Sequence, residues 1–307
     1  MKAVQIHGYK DVPTLEEVPT PEVGPGEVLV RVHAAALNPI DVQLQVGGME
    51  RFFPLTFPYT LGLDLSGTIE RVGTDASVWK PEDRIIARLS PARGGALAEF
   101  VAVSSDACVA LPPELPMTDG AGIPTAGGTA WKALFEVAQV KAGQTVLIHA
   151  GAGGVGSFAV QFAHAFGVRV LATASGDGLE LVRGLGADQV MDYRTQDFAT
   201  VFSGLDVVLD TIGGDTQRRS FDVLRAGGYL VSTVAPPDEA LAKSRGVSSS
   251  MVQLSRGGIP LKEMVATMHD HSLRVLTDRT LPLDRFAEAL ERQASGRARG
   301  KIILTVT

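Results

Sequence analysis

The sequence predicts an α/β protein in two parts, a β-rich domain and a doubly wound nucleotide-binding domain with a mainly parallel sheet. Three observations carry this. Thr145 to His149 is a short apolar and β-branched run that leads into Ala150-Gly151-Ala152-Gly153-Gly154-Val155-Gly156 and then into a helical stripe. Strand-like runs at residues 167–173, 189–193, 207–210 and 229–233 follow, with helical stretches between them, the alternation that gives a parallel sheet covered on both faces. Ahead of this region, up to about Met117, short strands are punctuated by glycine and proline, the texture of a small barrel or sandwich.

The elements follow in order. Val28 to His33 alternates after the turn-like Gly24-Pro25-Gly26, Thr68 to Val72 makes a second strand before Gly73, and Leu97 to Val103 a third. Helical periodicity from Ala130 to Val140 precedes the glycines. Within the glycine unit, Val155, Phe158, Ala159, Phe162 and Phe166 recur at spacings of three and four, so a helix opens directly out of the turn. Gly151, Gly153 and Gly156 fit G-x-G-x-x-G: the first allows the tight turn, the second lets backbone approach a pyrophosphate, and the third lets helix and strand pack closely. The N–H groups at that helix start form an anion site. Residues 235–250, rich in Pro, Ser and Ala, are expected to be a flexible covering loop. The last elements are helices at 261–269 and 283–295 and strands at 274–281 and 301–306. Those two strands are too few for a core of their own, so they are expected to complete the β domain. The expected domains are residues 1–117 with 261–307, and 118–260.

Composition excludes several classes of function. Of the 307 residues, 45% are hydrophobic and 20% charged, which is a globular balance, and a net charge of −6 offers no electrostatic footprint for nucleic acid. There is no apolar signal core and no apolar run long enough to span a bilayer, so a cytoplasmic protein without membrane attachment is expected. The single cysteine, Cys108, rules out an intrachain disulfide and lies in an apolar run that suits a buried, inert thiol. The six histidines show no metal-ligand spacing.

Five motifs in order then carry a resemblance: Gly24-Pro25-Gly26-Glu27-Val28-Leu29-Val30, Asn38-Pro39-Ile40-Asp41, Gly62-Leu63-Asp64-Leu65-Ser66-Gly67, Ala150 to Gly156, and Arg299-Gly300-Lys301-Ile302-Ile303-Leu304. Together they resemble the medium-chain dehydrogenase/reductase superfamily over essentially the full length. Within it the chain is most similar to the zinc-independent quinone oxidoreductases related to zeta-crystallin. The resemblance implies a GroES-like β-barrel catalytic domain, a Rossmann domain, NADPH in the cleft between them and a homodimer. In the zinc alcohol dehydrogenases of the superfamily, the catalytic Cys, His and Cys align with Asn38, Leu63 and Thr125 here, which do not make a zinc site. No metal is expected, and hydride transfer without zinc suits acceptors that need no Lewis acid, such as quinones and conjugated enones.

Cofactor choice is read at the end of the second strand of the unit, where an NAD enzyme carries Asp or Glu about twenty residues beyond the glycines. This chain has Thr173, Ala174 and Ser175. A carboxylate would repel a 2′-phosphate, whereas a serine hydroxyl can donate to it. By resemblance Ser175 and Tyr193 are the 2′-phosphate contacts, with Arg194 a further cation, and NADP(H) is the expected cofactor. Relatives commonly carry a lysine shortly after the serine; here the chain has Gly176-Asp177-Gly178, and Asp177 could instead pair with the ribose. Gly154 and Val155 complete the expected glycine-turn contacts. Ligands of open α/β sheets bind outside the carboxyl ends of the strands, which places Ile212 and Gly213, and Thr233 and Val234, beside the nicotinamide. Thr129 matches a family position near the nicotinamide ribose, and Lys301 the family's C-terminal basic contact.

The expected reaction delivers a hydride from the nicotinamide to a small quinone or α,β-unsaturated carbonyl, and negative charge develops on the carbonyl oxygen. Proton donors named by the sequence are Tyr59, which aligns with a cleft-facing tyrosine of relatives or else packs in the core, and Asn38 through its amide; water is open as well. Asp41 is expected to fix its own loop. Arg51, Phe52 and Phe53 are expected to line or cover the acceptor pocket. Two other readings stand beside this one: an enoyl-thioester reductase, and a non-catalytic NADPH- or RNA-binding protein, for which the local cluster of Arg292, Arg297, Arg299 and Lys301 is the feature to weigh.

Overall fold

The structure is a computed structural model that describes residues 1–254 and 258–306. The chain divides into two compact units, Met1–Thr125 with Thr277–Thr307, and Ala126–Leu276. Both divisions fall later in the chain than the expected 117/118 and 260/261, so the helix at Leu261–Asp270 belongs to the second unit.

The first unit opens with β1 (Lys2–Ile6), β2 (Thr14–Glu17), β3 (Glu27–Leu37), α1 (Pro39–Gln45), β4 (Tyr59–Thr60), β5 (Asp64–Val72), β6 (Arg84–Arg88), β7 (Phe100–Ser104), β8 (Cys108–Ala110) and α2 (Met117–Gly122). The second holds α3 (Pro124–Trp131, starting at the junction), β9 (Thr145–Ile148), α4 (Gly154–Ala165), β10 (Arg169–Ala174), α5 (Gly178–Gly184), β11 (Gln189–Asp192), α6 (Phe198–Val201), β12 (Leu205–Asp210), α7 (Gly214–Ser220), β13 (Leu224–Ser232), α8 (Glu239–Ser244), β14 (Ser248–Met251) and α9 (Leu261–Asp270). The chain then returns to the first unit with β15 (Thr277–Pro282), α10 (Phe286–Ala294) and β16 (Lys301–Thr305).

In the first unit β3 is the spine. It pairs antiparallel with β5, β7 and β16, and its register slips between Leu29 and Val30 and between Val32 and Ala34. Such bulges coil a long strand and let one element serve several neighbours. The sheet order is β15-β16-β3-β5-β6-β8, and β2-β1-β4 forms a separate three-stranded sheet. Val30, Leu37, Leu65, Ile85 and Ile302 meet in one fully enclosed apolar core, which also takes in Tyr59 and Cys108. Burial pushes the Cys108 thiol up to about 12, so it stays an unreactive thiol at neutral pH.

In the second unit the sheet order is β11-β10-β9-β12-β13-β14, all parallel, which is the doubly wound Rossmann order with the chain reversing direction beside β9. The strands read as apolar runs because both faces are covered: Val146, Leu147, Ile148, Val208 and Leu209 are fully enclosed. Helix α4 buries Phe158, Ala159 and Phe162 of the predicted stripe, while Val155 is half-buried and Phe166, just past the helix end, is exposed. The expected helix at 130–140 starts as α3 and loosens into a π-helical turn at Lys132–Val137, where Lys132 Nζ donates to the Gly258 carbonyl at 2.8 Å. Residues 235–250 are not a plain loop. Asp238 caps α8 by accepting from the Leu241 N–H at 2.9 Å, and Ser248–Met251 pair with Tyr229–Ser232 as a sixth strand. As the outermost strand of this sheet it leaves its three serines exposed or half-buried, where their hydroxyls need no apolar partner.

His149 ties the end of β9 to its neighbours. Its ring is buried edge-on to Phe198, with Nε2 at 3.0 Å from Ser220 Oγ and Nδ1 at 3.3 Å from Thr173 Oγ1. Ser220 gives its own proton to the Thr216 carbonyl and Thr173 Oγ1 accepts from the Ala150 N–H, so the network assigns the ring proton to Nε2 and leaves Nδ1 an acceptor. Burial holds the imidazole down at about 4, against 6.5 when free. The neutral ring is therefore a stability element above pH 6.5 that is lost as pH falls toward 4 and the unfolded chain takes the proton first. Over that window the second unit is expected to lose about 3 kcal/mol of stability through this group. Chemical denaturation at several pH values checks this, and His149→Gln, which does not titrate, is expected to lack that part of the acid loss.

Candidate active site

The carboxyl ends of the parallel strands in the second unit gather most of the expected cofactor residues on one sheet edge. After β9 the chain enters Ala150 at φ +50 and turns back, with the Gly151 N–H donating to the Thr173 carbonyl at 2.9 Å and the Gly153 N–H to the Ala150 carbonyl at 2.8 Å. Helix α4 then starts at Gly154. A side chain on Gly156 would place its Cβ 2.2 Å from the Ala150 oxygen, and one on Gly153 would sit 3.2 Å from the same atom. The turn is thus a bare backbone cradle at a helix N-terminus, where the first N–H groups have no partner within the helix. A pyrophosphate fits that cradle.

Ser175 follows β10 and Tyr193 follows β11. Because Ala174 pairs with Asp192 across these strands, the two side chains are neighbours, and Ser175 Oγ donates to the Tyr193 hydroxyl at 3.1 Å. Tyr193 is 55% exposed and Arg194 is exposed beside it, its backbone N–H held by Asp192 Oδ1 at 2.9 Å. Asp177 stands at the start of α5, two residues past the serine.

Asp210 ends β12 fully buried and organises the next two loops. Its Oδ1 accepts from the Ile212 and Gly213 N–H groups at 2.9 and 2.8 Å, and its Oδ2 from Gln217 Nε2 and Ser232 Oγ at 2.9 and 2.8 Å. Four donors hold one carboxylate, so the loops after β12 and β13 share a single anchor. That anchor fixes Gly213 in its left-handed turn at φ +79 and leaves Ile212 and Val234 about half exposed, at 52% and 48%. The Thr233 N–H closes the pair on the Asp210 carbonyl at 2.9 Å. Thr129 lies buried on α3, outside this row of strand ends.

The other expected residues belong to the first unit, where they form a buried polar cluster. Asn38 caps α1: its backbone N–H donates to Asp41 Oδ2 at 2.7 Å, its Nδ2 to Asp64 Oδ2 at 2.8 Å, and its Oδ1 accepts from Lys301 Nζ at 2.6 Å. Lys301 also donates to the Leu37 carbonyl at 2.8 Å. Asp64 takes two more donors from Thr125, the backbone N–H at 3.0 Å and Oγ1 at 2.7 Å, and Arg88 Nε reaches Thr125 Oγ1 at 2.9 Å. Burial lowers the Lys301 ammonium from its ordinary value, against the pull of Asp64 and Asp41.

Three expectations change here. Lys301 is enclosed within the first unit, tied to Asn38 and Leu37, and is not extended as a surface cation toward a phosphate. The Asn38 amide is engaged at both ends, with Nδ2 donating to Asp64 at 2.8 Å and to the Ala36 carbonyl at 3.5 Å and Oδ1 accepting from Lys301, so both amide hydrogens already have a partner inside the first unit. Tyr59 is 2% exposed, its hydroxyl donates to the Pro91 carbonyl at 2.8 Å, and burial together with the nearby Asp41 raises it above the ordinary phenol range. It can protonate an acceptor only by leaving Pro91. Sequence reading missed Asp64 and Asp210 as anchors and gave His149 no part. The available signal for Asp64 was a carboxylate set between two leucines that are themselves buried.

Comparison with known proteins agrees with this architecture. Residues 24–113 match the family model described as alcohol dehydrogenase GroES-like domain, and residues 185–304 match the one described as zinc-binding dehydrogenase. The donor set does not fit the zinc of that second description. Of the three positions that align with the zinc ligands of alcohol dehydrogenases, Leu63 offers only hydrocarbon, Asn38 and Thr125 are committed to Asp64, and an ammonium stands 2.6 Å from the Asn38 oxygen. Among the described residues no group of three or more His, Cys, Asp or Glu could hold a metal ion. A chloroplastic quinone-oxidoreductase homolog of Spinacia oleracea is 32% identical over 99% of this chain and 98% of its own. The mitochondrial NAD(P)H oxidoreductase RTN4IP1 of Danio rerio is 33% identical over 92% and 84%. The solved quinone oxidoreductase of Thermus thermophilus, studied also as its complex with NADPH, superposes with a TM-score of 0.86 at 30% identity over the whole of both chains. With a barrel unit, a Rossmann unit and these full-length likenesses, the chain belongs to the medium-chain dehydrogenase/reductase superfamily, among the quinone oxidoreductases related to zeta-crystallin.

Proposed function

We propose that this chain, an NAD(P)H-type oxidoreductase by family, uses NADPH without zinc to reduce quinones or α,β-unsaturated carbonyl compounds. The observation that carries the NADPH reading is the end of β10, where Ser175 and Tyr193 stand hydroxyl to hydroxyl with Arg194 exposed alongside. Two hydroxyls and a guanidinium are a donor set for a 2′-phosphate, and the position where a carboxylate would select the plain ribose holds Ser175. The relatives named for quinones, and the one solved with NADPH, support the same choice of acceptor and cofactor.

The residues divide the work. The turn from Gly151 to Gly156 holds the pyrophosphate on backbone N–H groups at the start of α4. Ser175, Tyr193 and Arg194 read the 2′-phosphate. Asp210 fixes the loops that carry Ile212, Gly213, Thr233 and Val234 along the nicotinamide side, with Thr129 on the ribose. When bound, the reduced nicotinamide supplies a hydride. The protein then has to orient the acceptor and meet the charge that develops on its oxygen. We also propose a cytoplasmic homodimer, for which the outer strand β14 offers a backbone edge that pairs with no further strand among the described residues; sedimentation velocity of the purified protein is expected to show twice the chain mass.

Purified protein treated with a chelator is expected to oxidise NADPH in the presence of 9,10-phenanthrenequinone or a simple enone. Activity that vanishes with chelation overturns the zinc-free reading, and activity confined to acyl thioesters such as crotonyl-CoA moves the assignment to an enoyl reductase. Ser175→Ala is expected to raise the KM for NADPH about tenfold while leaving that for NADH unchanged, the loss of one hydrogen bond to a charged group. Gly156→Ala meets a backbone oxygen that cannot step aside. It is expected to weaken NADPH binding at least about tenfold by titration calorimetry and to cost about 2 kcal/mol or more of stability.

A further inference from the structure

A carboxylate stands in the same turn as one of the hydroxyls assigned to the 2′-phosphate. Ser175 follows β10, Gly176 takes the left-handed region at φ +55, and the Gly178 N–H closes the turn on the Ser175 carbonyl at 3.1 Å. Asp177 is the exposed residue inside that turn. The turn is pressed against the pyrophosphate cradle. A Cβ on Gly178 would lie 3.2 Å from the Ala152 Cβ, and one on Gly151 would lie 3.1 Å from a Val182 methyl of α5. Asp177 is thus one residue from a contact with the cradle and two from the Ser175 hydroxyl.

The charge around the two hydroxyls is mixed. Arg194 is exposed and its N–H is held by Asp192 at 2.9 Å, so one guanidinium shares this end of the sheet with the carboxylates of Asp177 and Asp192. The next ions on α5, Glu180 and Arg183, pair with each other. A phosphate group brings about two negative charges, which one guanidinium among two carboxylates balances poorly. A ribose with a free 2′-hydroxyl brings a donor instead, which a carboxylate accepts. The Ser175 and Tyr193 hydroxyls already satisfy one another at 3.1 Å, so a plain ribose strands neither of them. Asp177 also lies about twenty residues beyond the glycines, the separation at which a ribose-binding carboxylate occurs in dinucleotide folds.

We propose that Asp177 is a specificity-determining residue that keeps the adenosine site open to both nucleotides. Its carboxylate accepts from the 2′-hydroxyl of NADH and opposes the 2′-phosphate of NADPH, to which Ser175, Tyr193 and Arg194 donate. The inference rests on the nucleotide reading above and deepens it, because the preference for NADPH becomes a balance between groups at the ends of two neighbouring strands. Every residue concerned belongs to the second unit.

The test is titration calorimetry of the full chain with ADP-ribose and 2′-phospho-ADP-ribose, which differ only in the 2′-phosphate and need no hydride transfer. The unmodified protein is expected to bind both. Asp177→Ala is expected to weaken ADP-ribose about tenfold, the loss of a charged acceptor, and to tighten 2′-phospho-ADP-ribose about tenfold, the relief of a like charge. Asp177→Asn is expected to keep the second effect and most of the ADP-ribose affinity, since its amide oxygen still accepts. Shifts of opposite sign separate this role from a structural one, which would weaken both ligands together. Asp177→Ala with both affinities unchanged, or both lowered, overturns the proposal. If Asp177→Ala does not fold, Asp177→Asn decides: an unchanged affinity for 2′-phospho-ADP-ribose overturns it. An unmodified protein that binds neither ligand is a different result, since it removes the nucleotide reading and the proposal with it.

Discussion

One carbonyl oxygen sets the geometry of the second unit. Ala150 leaves β9 in the left-handed region, and its oxygen then stands 2.2 Å from where a side chain at residue 156 would begin. Only glycine lets the first turn of α4 come that close to the end of β9. The approach brings the helix N-terminus over the strand end, and it carries Phe158 and Phe162 down onto the sheet that their burial stabilises. His149, one residue earlier, completes the constraint by tying this corner to β10 through Thr173 and to α7 through Ser220. The cofactor cradle and the core are thus consequences of the same contact.

That corner was legible in the sequence because it is local. Three glycines at fixed spacing, a β-branched run before them and a stripe of period 3.6 after them all lie within some twenty residues, and each choice agrees with the others. The parallel sheet was legible for the same reason, one strand at a time. Its sixth strand was not: Ser248, Ser249 and Ser250 carry no apolar pattern, and they form a strand because Tyr229 to Ser232 present an open edge to pair with. The same limit hid the π-helical turn after α3, whose first residue, Lys132, is held by the distant Gly258 carbonyl.

The polar cluster of the first unit shows the limit more sharply. Lys301 reads as a surface cation because it follows Arg297 and Arg299 in the chain, yet β16 runs between β15 and β3 and draws its first residue inside. Its partners Leu37 and Asn38 are more than 260 positions away. Asp64 and Thr125 join from two further segments. No window along the chain contains two of these anchors together with the lysine that meets them. The motifs containing Asn38, Asp64 and Lys301 were each visible separately, and the fold turns three motifs into one hydrogen-bonded group.

The order in which the chain is made gives this last arrangement a further meaning. The second unit is continuous, from Ala126 to Leu276, whereas the first is interrupted by it and takes two of its strands from beyond residue 276. During synthesis the Rossmann unit can therefore close while the barrel still waits with the end of β3, Ala34 to Leu37, open on one side and with Asn38 lacking its lysine. The strand that arrives late is apolar, Ile302-Ile303-Leu304, and until it docks the stretch of β3 from Ala34 to Leu37 has an unpaired edge of the kind that invites the wrong neighbour. The unit that begins the chain is in this sense the last to be finished, and its final fastening is a buried ammonium.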